Sequence, residues 1–198
     1  MLHQPLLAPR LDQQHDTQLS GFKLDWQPLF AQDVMVLANV ETRGLGLGQV
    51  RMIGEFVRQG GGLVILGGLT TLGQSGNMQR GWGEFLPVEL SGPWEIRKCE
   101  PAVKFASPAK DSPLADVRWD VPPTVFYRHI VKAKPAATVL LAGDHGEPLL
   151  VGTTCGKGRV VVFTGTVLGQ PSEGQAAFWN TQAWQAVLSR AVTWAAEK

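Results

Sequence analysis

Apolar residues fall into short runs and one helical period along the first third of the chain. The run Asp33–Asn39 (DVMVLAN) is apolar and bounded by polar residues, which predicts a buried strand of a parallel sheet. From Leu47 to Gln59 apolar residues recur at helical spacing with charged residues on the other face, which predicts a helix. Gly60–Gly62 is expected to end this helix, because glycine accepts the positive φ of a C-cap. Leu63–Leu66 then predicts a second buried strand.

This strand–helix–strand order predicts a βαβ unit with a parallel sheet and a right-handed crossover. Before it, Gly21–Leu29 predicts a short strand that ends near Pro28. After it, the Gly-rich residues 69–83 predict a long loop with one helical turn near Trp82. Leu86–Leu90 predicts an edge strand. Residues 93–123 mix prolines with single tryptophans, so we expect irregular structure or short antiparallel strands there.

The last third of the chain returns to regular patterns. Three apolar runs predict strands, namely Ala137–Ala142, Pro148–Thr153 and Arg159–Thr164. Gly156–Gly158 predicts a hairpin turn between the last two. From Ala176 to Ala196 one apolar face, which includes Phe178, predicts a helix.

Composition places the chain among globular proteins of one large domain. It has 198 residues, 44% of them hydrophobic and 18% charged. The formal net charge of +1 gives no electrostatic signature of nucleic-acid binding. No apolar run approaches the ~20 residues of a membrane span, and the amino-terminal residues lack a signal-peptide layout. We therefore expect a cytoplasmic protein, unless the chain belongs to a larger envelope protein.

Several of these segments together resemble the glutamine amidotransferase-like domains of bacteria. The similar blocks are DVMVLANV, EFVRQGGGLVILGG, FLPVEL and EPLLVGTTCGKGRVVVFTG, followed by the tryptophan-bearing carboxyl-terminal helix. The resemblance implies a three-layer α/β/α fold with a mostly parallel, flavodoxin-like sheet and an antiparallel hairpin near the C-terminus. It implies an N-terminal arm (1–20) and a domain (21–198) with an irregular insertion at about 69–135. Members of the family usually open with a buried strand, for which residues 1–20 offer only Leu6–Leu7.

The same resemblance indicates that the amidotransferase active site is missing. The chemistry needs a cysteine at a strand-to-helix elbow and a histidine to deprotonate it. The elbow falls at Gly67–Gly68, and Thr164–Thr166 occupies the place expected for the histidine. We therefore predict no catalytic residue, no metal and no cofactor, which is the pattern of a pseudoenzyme.

Neither cysteine is a convincing substitute for the missing nucleophile. Cys99 follows Arg97 and Lys98, two cations that can lower a thiol pKa, but the favoured interpretation is a plain surface or packing thiol. Cys155 precedes the hairpin turn and reads as a half-buried strand residue. Neither belongs to a CxxC pair, which favours a reducing compartment.

Two histidines lie in patterned segments. His129, in FYRHIV, alternates with apolar residues and is expected on a strand face. His145 lies between Asp144 and Glu147 in the most metal-like group of the chain. Turn chemistry explains that group without a metal, since Asp and Gly favour turns.

The Gly-rich loop after the second strand is the predicted ligand site. Ligands of open α/β sheets bind at the carboxyl ends of the strands, where backbone N–H groups and hydroxyls can cradle an anion. The loop matches neither GxGxxG nor a P-loop. The predicted ligand-binding residues are Gly67, Gly68, Thr70, Thr71 and Ser75.

Two functions follow from the sequence. The first is an inactive amidotransferase-like module that binds a small ligand or a protein at the sheet's carboxyl edge. The second is a hydrolase or transferase whose nucleophile is a hydroxyl of the Gly67–Ser75 loop, with His129, Glu41 or Glu84 as base. Trp82, Trp94 and Trp119 in the insertion predict either core packing or a partner surface.

Overall fold

The computed structural model describes residues 27–40, 45–69, 71–72, 81–90 and 96–197. Within these residues the helices are α1 (Gln27–Phe30), α2 (Leu47–Arg58) and α3 (Gln182–Ala196), with 3-10 turns at Trp82–Glu84 and Phe178–Asn180. The strands are β1 (Val34–Ala38), β2 (Gly62–Leu66), β3 (Val88–Leu90), β4 (Ile96–Lys104), β5 (Pro123–His129), β6 (Val131–Ala133), β7 (Thr138–Ala142), β8 (Pro148–Cys155), β9 (Gly158–Phe163) and β10 (Ala176–Ala177).

The central sheet is mixed, with the strand order β1-β2-β9-β8-β7. The first three strands run parallel, and β8 and β7 are antiparallel to their neighbours. The predicted βαβ unit and the β8–β9 hairpin are confirmed. The expectation of a mostly parallel sheet holds for only half of its pairings, because the carboxyl-terminal strands connect through tight antiparallel turns.

Alternate residues of the central strands enter two separate cores. Leu63 and Ile65 of β2 join a cluster with Val50, Ile53 and Phe56 of α2. Val64, between them, faces the cluster that contains residues of α3, among them Val187, Ala191 and Ala195. The two longer helices therefore cover opposite faces of the central sheet.

Two glycines make the connections that the sequence predicts. Gly60 has φ 120° directly after α2, as expected of a glycine at a helix end. Gly156 has φ 63° at the tip of the β8–β9 hairpin. The next residue, Lys157, donates its N–H to the main-chain oxygen of Arg58 over 3.0 Å. The hairpin tip is thereby fastened to the end of α2.

The predicted strand Gly21–Leu29 is wrong where it can be compared. Gln27–Phe30 forms a helical turn, and residues 21–26 lie outside the described residues. The turn places Leu29 and Phe30 against the core on the α2 side, with the Phe30 and Phe56 rings edge to face at 6.1 Å. Burial of these two side chains outweighs the weak strand pattern.

Residues 93–123, expected to be irregular or to form short antiparallel strands, contain an antiparallel strand, β4, that is longer than expected at nine residues. It pairs antiparallel with β5, and β10 lies on the other side of β5 in a second, three-stranded sheet. Pro101 lies where the β4–β5 register shifts, between Lys98 and Val103. An irregular register on an outer strand accommodates a proline, which explains how β4 continues through Pro101.

The predicted helix Ala176–Ala196 starts late. Its first residues form β10 and a 3-10 turn, and α3 begins at Gln182 with Thr181 as N-cap. Phe178 is buried in an aromatic cluster, with its ring 5.1 Å from that of Phe163. Packing of this ring against distant strands overrides the helical period.

Candidate functional site

The predicted site lies where two neighbouring parallel strands end. Gly67 follows β2, and Thr164 follows β9 beside it. The Gly67 N–H donates to the main-chain oxygen of Phe163 over 2.9 Å, which continues the β2–β9 ladder beyond the strand. We call the region where β1, β2 and β9 end the carboxyl edge.

Both glycines of this turn lie too close to other chain segments to carry a side chain. A Cβ on Gly67 would lie 2.5 Å from the main-chain oxygen of Gly165. A Cβ on Gly68 would overlap the side-chain oxygen of Asn39 and approach its Cα to 2.6 Å. The turn therefore brings the ends of β1, β2 and β9 together by backbone contact, and neither Gly67 nor Gly68 has room for a nucleophilic side chain.

Two of the N–H groups predicted to cradle an anion already have partners. Gly67 donates to Phe163, and Leu69 donates to Oδ1 of Asn39 over 3.1 Å. Asn39 has φ 50°, a left-handed conformation that asparagine tolerates better than most residues. The anion nest stays a prediction, now with fewer free donors.

The residues at the expected histidine position have structural partners. The Thr164 hydroxyl donates to the main-chain oxygen of Pro148 over 2.8 Å. The Thr166 hydroxyl donates to that of Tyr127 over 3.2 Å. Both threonines are buried, so these bonds hold the segment after β9 against β8 and β5.

His129 reaches the glycine turn from β5. Its side chain is only 1% exposed, and Nε2 lies 2.7 Å from the main-chain oxygen of Gly68. A carbonyl oxygen only accepts, so Nε2 carries the proton and Nδ1 is left as the acceptor of the neutral ring. Burial lowers the pKa of His129 to about 4, although the bond to Gly68 acts in the opposite direction. The ring is therefore neutral at physiological pH.

Two buried polar atoms near this turn lack a hydrogen-bond partner among the described residues. They are Nδ1 of His129 and Oγ1 of Thr71, which is three residues beyond Gly68. Of the other residues in the enzyme hypothesis, Thr70, Ser75 and Glu41 lie outside the described residues. Glu84 is exposed and forms an ion pair with Arg58 at 2.8 Å.

The two carboxylates of the turn around His145 accept hydrogen bonds from main-chain N–H groups of the turn and of β4. The His145 N–H donates to Oε2 of Glu147 over 3.1 Å, and Oδ1 of Asp144 accepts from the N–H of Lys104 over 3.0 Å. Across the part of the chain that the structure describes, no three His, Cys, Asp or Glu side chains are grouped for a metal ion.

Cys99 packs against the core on the α3 side, as the favoured interpretation of a packing thiol predicts, and its neighbouring cations do not activate it. Burial raises the pKa of its thiol, and the nearby Arg128 offsets this only in part. Lys98 is paired instead with Glu100, at 2.5 Å. Cys155 is half-buried, as predicted.

Of the tryptophans in residues 69–135, Trp82 is fully buried, and Trp119 is half-buried with its ring 5.9 Å from that of Phe105. Trp94 lies outside the described residues. The two described side chains therefore serve core packing.

Exposed apolar side chains follow the two strands at the carboxyl edge, a feature the sequence analysis missed. Leu69 is 61% exposed, and Val167 and Leu168 are also exposed. They come two or three residues after Gly67 and Gly165, which touch each other. We call Leu69, Val167 and Leu168 the carboxyl-edge patch. The sequence could not reveal this patch, because single apolar residues in loops follow no helical or strand period. Their exposure becomes visible only in the folded chain.

A separate cleft of about 650 Å³ lies beside α2, away from the glycine turn. It is lined by residues of α2 and of the segment after Gly81, including Leu47, Arg51, Met52, Arg58 and Phe85.

Among the described residues, no helix combines the length and apolar character needed to cross a membrane.

Comparisons with known proteins place the fold. Neither a protein-family model nor a curated protein matches the chain. Cytoplasmic Protein STM3548 from Salmonella typhimurium has a similar structure, with a TM-score of 0.72 and 19% identity over 89% of this chain and 77% of that one. For Cytoplasmic Protein STM1381 from Salmonella typhimurium LT2 the TM-score is 0.65, with 23% identity over 85% and 75%.

A third similar structure is a ThuA-like protein from Parabacteroides merdae. Its TM-score is 0.53, with 17% identity over 89% of this chain and 74% of that one. At these identities the comparisons establish a shared mixed α/β fold, and function has to be argued from the site.

Proposed function

We propose that this chain is a catalytically inactive glutamine amidotransferase-like domain that binds a small ligand or a protein partner at the carboxyl edge. In this proposal the central sheet and the helices on its two faces are a flavodoxin-like, three-layer arrangement. The domain spans residues 21–198 with an insertion at about 69–135, after an arm of residues 1–20. Its structural similarity to a ThuA-like protein and to two proteins called cytoplasmic supports this assignment and a cytoplasmic location.

The packing of Gly67 and Gly68 is the observation that carries the proposed inactivity. A thiolate nucleophile needs a side chain aimed into a pocket beside free N–H donors. Here a Cβ at either position collides with Gly165 or Asn39, and the Gly67 N–H is already bonded. A buried, neutral His129 is bonded to Gly68 rather than to a thiol.

Inactivity is tested by ammonia release from L-glutamine, with an active class I amidotransferase as positive control. We expect the chain to release no more ammonia than buffer does. Glutamine-dependent release that disappears in Cys99→Ala or Cys155→Ala, but persists in Thr153→Ala, would contradict the proposal.

Binding at the carboxyl edge is supported by the position of the glycine turn and by the carboxyl-edge patch. Open α/β sheets bind ligands at the carboxyl ends of their strands, and exposed apolar patches often mark interaction surfaces. The proposed ligand-binding residues remain Gly67, Gly68 and Thr71, together with Thr70 and Ser75 outside the described residues.

An NMR titration with L-glutamine, L-glutamate and simple amides tests the location. We expect amide shifts at Gly67, Gly68 and Thr71, and we expect Thr71→Ala to weaken them while Thr153→Ala leaves them unchanged. Shifts confined to the cleft beside α2, around Arg51 and Phe85, would place binding elsewhere and reject this site.

A hydrolase or transferase is the second candidate, favoured by the unpartnered Thr71 Oγ1 and His129 Nδ1. The two atoms do not hydrogen-bond to each other here, so that reading requires the Thr71 hydroxyl to move within reach of His129 Nδ1, which would then accept its proton. The Gly68 carbonyl fixes the tautomer of the ring. The test is hydrolysis of p-nitrophenyl acetate by wild type, Thr71→Val and the control Thr153→Val. Activity that only Thr71→Val abolishes would favour this candidate over the binding module.

A further inference from the structure

Edge strands in this protein carry recognisable protection against pairing with other chains. Natural sheets protect their edges with bulges, charges, prolines or very short strands. At the β7 edge the register with β8 shifts twice. β10 has two residues, and β3 and β6 have three each, with Glu89 and Lys132 at their centres. The outer strand β4 carries Arg97, Lys98, Glu100, Pro101 and Lys104.

β1 is the exception among the described edge strands. It pairs with β2 in continuous register over Val34–Ala38, and β2 is its only partner within the described residues. Its sequence, VMVLA, has no charge, no proline and no glycine. Val36 at its centre is 38% exposed. An uncharged edge in continuous register, with β-branched residues at Val34 and Val36, is a template for strand addition.

We propose that the edge of β1 opposite β2, which has no strand partner among the described residues, pairs with β1 of a second copy of this chain. The pairing is antiparallel about a two-fold axis through Val36, so that the central sheets of two copies join into one. Strand addition of this kind satisfies the outward backbone groups of both edges at once.

The composition of β1 fits a second copy because every pair across the axis is apolar. Val36 faces Val36 of the partner copy, Met35 faces Leu37, and Val34 faces Ala38. No like charges meet, and directly opposite side chains point to the same face of the joined sheet. Met35 and Leu37 already belong to the core on the α2 side, so this core would continue across the axis.

The experiment compares two exposed valines on opposite edges of the same sheet. Val36 on β1 is 38% exposed and Val139 on β7 is 42% exposed, which makes V139K a matched control for V36K. Analytical ultracentrifugation over a concentration series should show wild type and V139K rising to twice the mass of the chain. V36K places two positive charges at the axis and should raise the dissociation constant by at least about tenfold.

A cysteine pair provides a second measurement that does not depend on V36K folding well. Directly opposite residues of an antiparallel pair bring their Cβ atoms within reach of a disulfide. V36C should cross-link into a dimer under mild oxidation, and V139C and wild type should not.

Three outcomes overturn the proposal. Wild type that stays monomeric at every concentration means that the edge is covered in another way, by this chain or by a different partner. Equal association of wild type and folded V36K, or equal loss in V36K and V139K, means that copies associate through another surface. Failure of V36C to cross-link in a dimeric sample excludes pairing at Val36.

Discussion

The imidazole of His129 donates from Nε2 to the main-chain oxygen of Gly68, across 2.7 Å and 61 positions of sequence. This bond joins the end of β5 in the second sheet to the turn after β2 in the central sheet. Because the ring is buried, protonation of Nδ1 would place a charge in an apolar site without a partner among the described residues.

Acid should destabilise the protein through His129. Its pKa is about 4 in the folded protein and about 6.5 in an unfolded chain, so the unfolded state binds the proton more readily. The stabilisation from the neutral ring is complete above about pH 6.5 and is lost as the pH falls towards 4. We expect this contribution to be about 3 kcal/mol, measured by urea unfolding at several pH values.

His129→Gln provides the control, because its amide nitrogen can also donate to Gly68 but does not titrate. The variant should start less stable at neutral pH and then lose less stability than wild type between about pH 6.5 and 4. Parallel curves for the two proteins would show that His129 is not the group responsible.

Gly68→Ala should destabilise the protein strongly. The added Cβ overlaps Oδ1 of Asn39 and approaches the Asn39 backbone, so either β1 or the turn must move. We expect a loss of at least about 2 kcal/mol in unfolding free energy. Gly48→Ala is the control: Gly48 lies in α2, and an added Cβ has no neighbour within 4 Å. Because alanine favours a helix more than glycine does, the unfolding free energy should rise by about 0.5 kcal/mol. A neutral Gly68→Ala would contradict the close packing of the turn.

Cys99 should react slowly with iodoacetamide. Burial raises the pKa of its thiol, which lowers the thiolate fraction at neutral pH, and the half-buried position also limits access. Mass spectrometry of the alkylated protein should show slower modification of Cys99 in the folded chain than in the same chain in urea. Equal rates in the two states would show that the thiol is open and unperturbed.

Thr181→Ala should weaken the start of α3. Oγ1 of Thr181 accepts the N–H of Trp184 over 3.1 Å and donates to the main-chain oxygen of Phe178 over 2.8 Å. Loss of this cap should cost about 1 kcal/mol in thermal or urea unfolding. Thr181→Ser keeps the hydroxyl and should recover most of the loss, whereas equal losses in the two variants would point to the methyl group instead.

The sequence predicted best where a local pattern coincides with tertiary packing. The strands β1 and β2, the amphipathic α2 and the Gly156 hairpin all have the predicted type, because a short apolar run, a helical period or a glycine turn specifies each of them locally. The start of α3 was misplaced because Phe178 is held by rings from distant strands. No local pattern encodes that contact.

The sequence predicted where the candidate site lies in the fold, but it did not predict which side chains and main-chain atoms pack against it. That Gly67–Gly68 ends a central strand follows from the apolar run before it. That these glycines are packed against Asn39 and Gly165 depends on segments distant in sequence, which only the folded chain brings together. His129 was a candidate from its residue type, and its approach to Gly68 depends on β5 ending beside Thr164.

The pairing of β10 with β5 bears on how this protein can be divided. β5 lies within residues 69–135, the segment proposed to be an insertion, and β10 lies beyond the whole β7–β9 region in sequence, yet the two share a sheet. Phe105 of the same segment stacks on Phe178, directly after β10, with ring centres 6.2 Å apart. Excising residues 69–135 would leave β10 without its partner strand β5 and Phe178 without the Phe105 ring. Grafting the same residues onto another scaffold would leave β5 and Phe105 without β10 and Phe178.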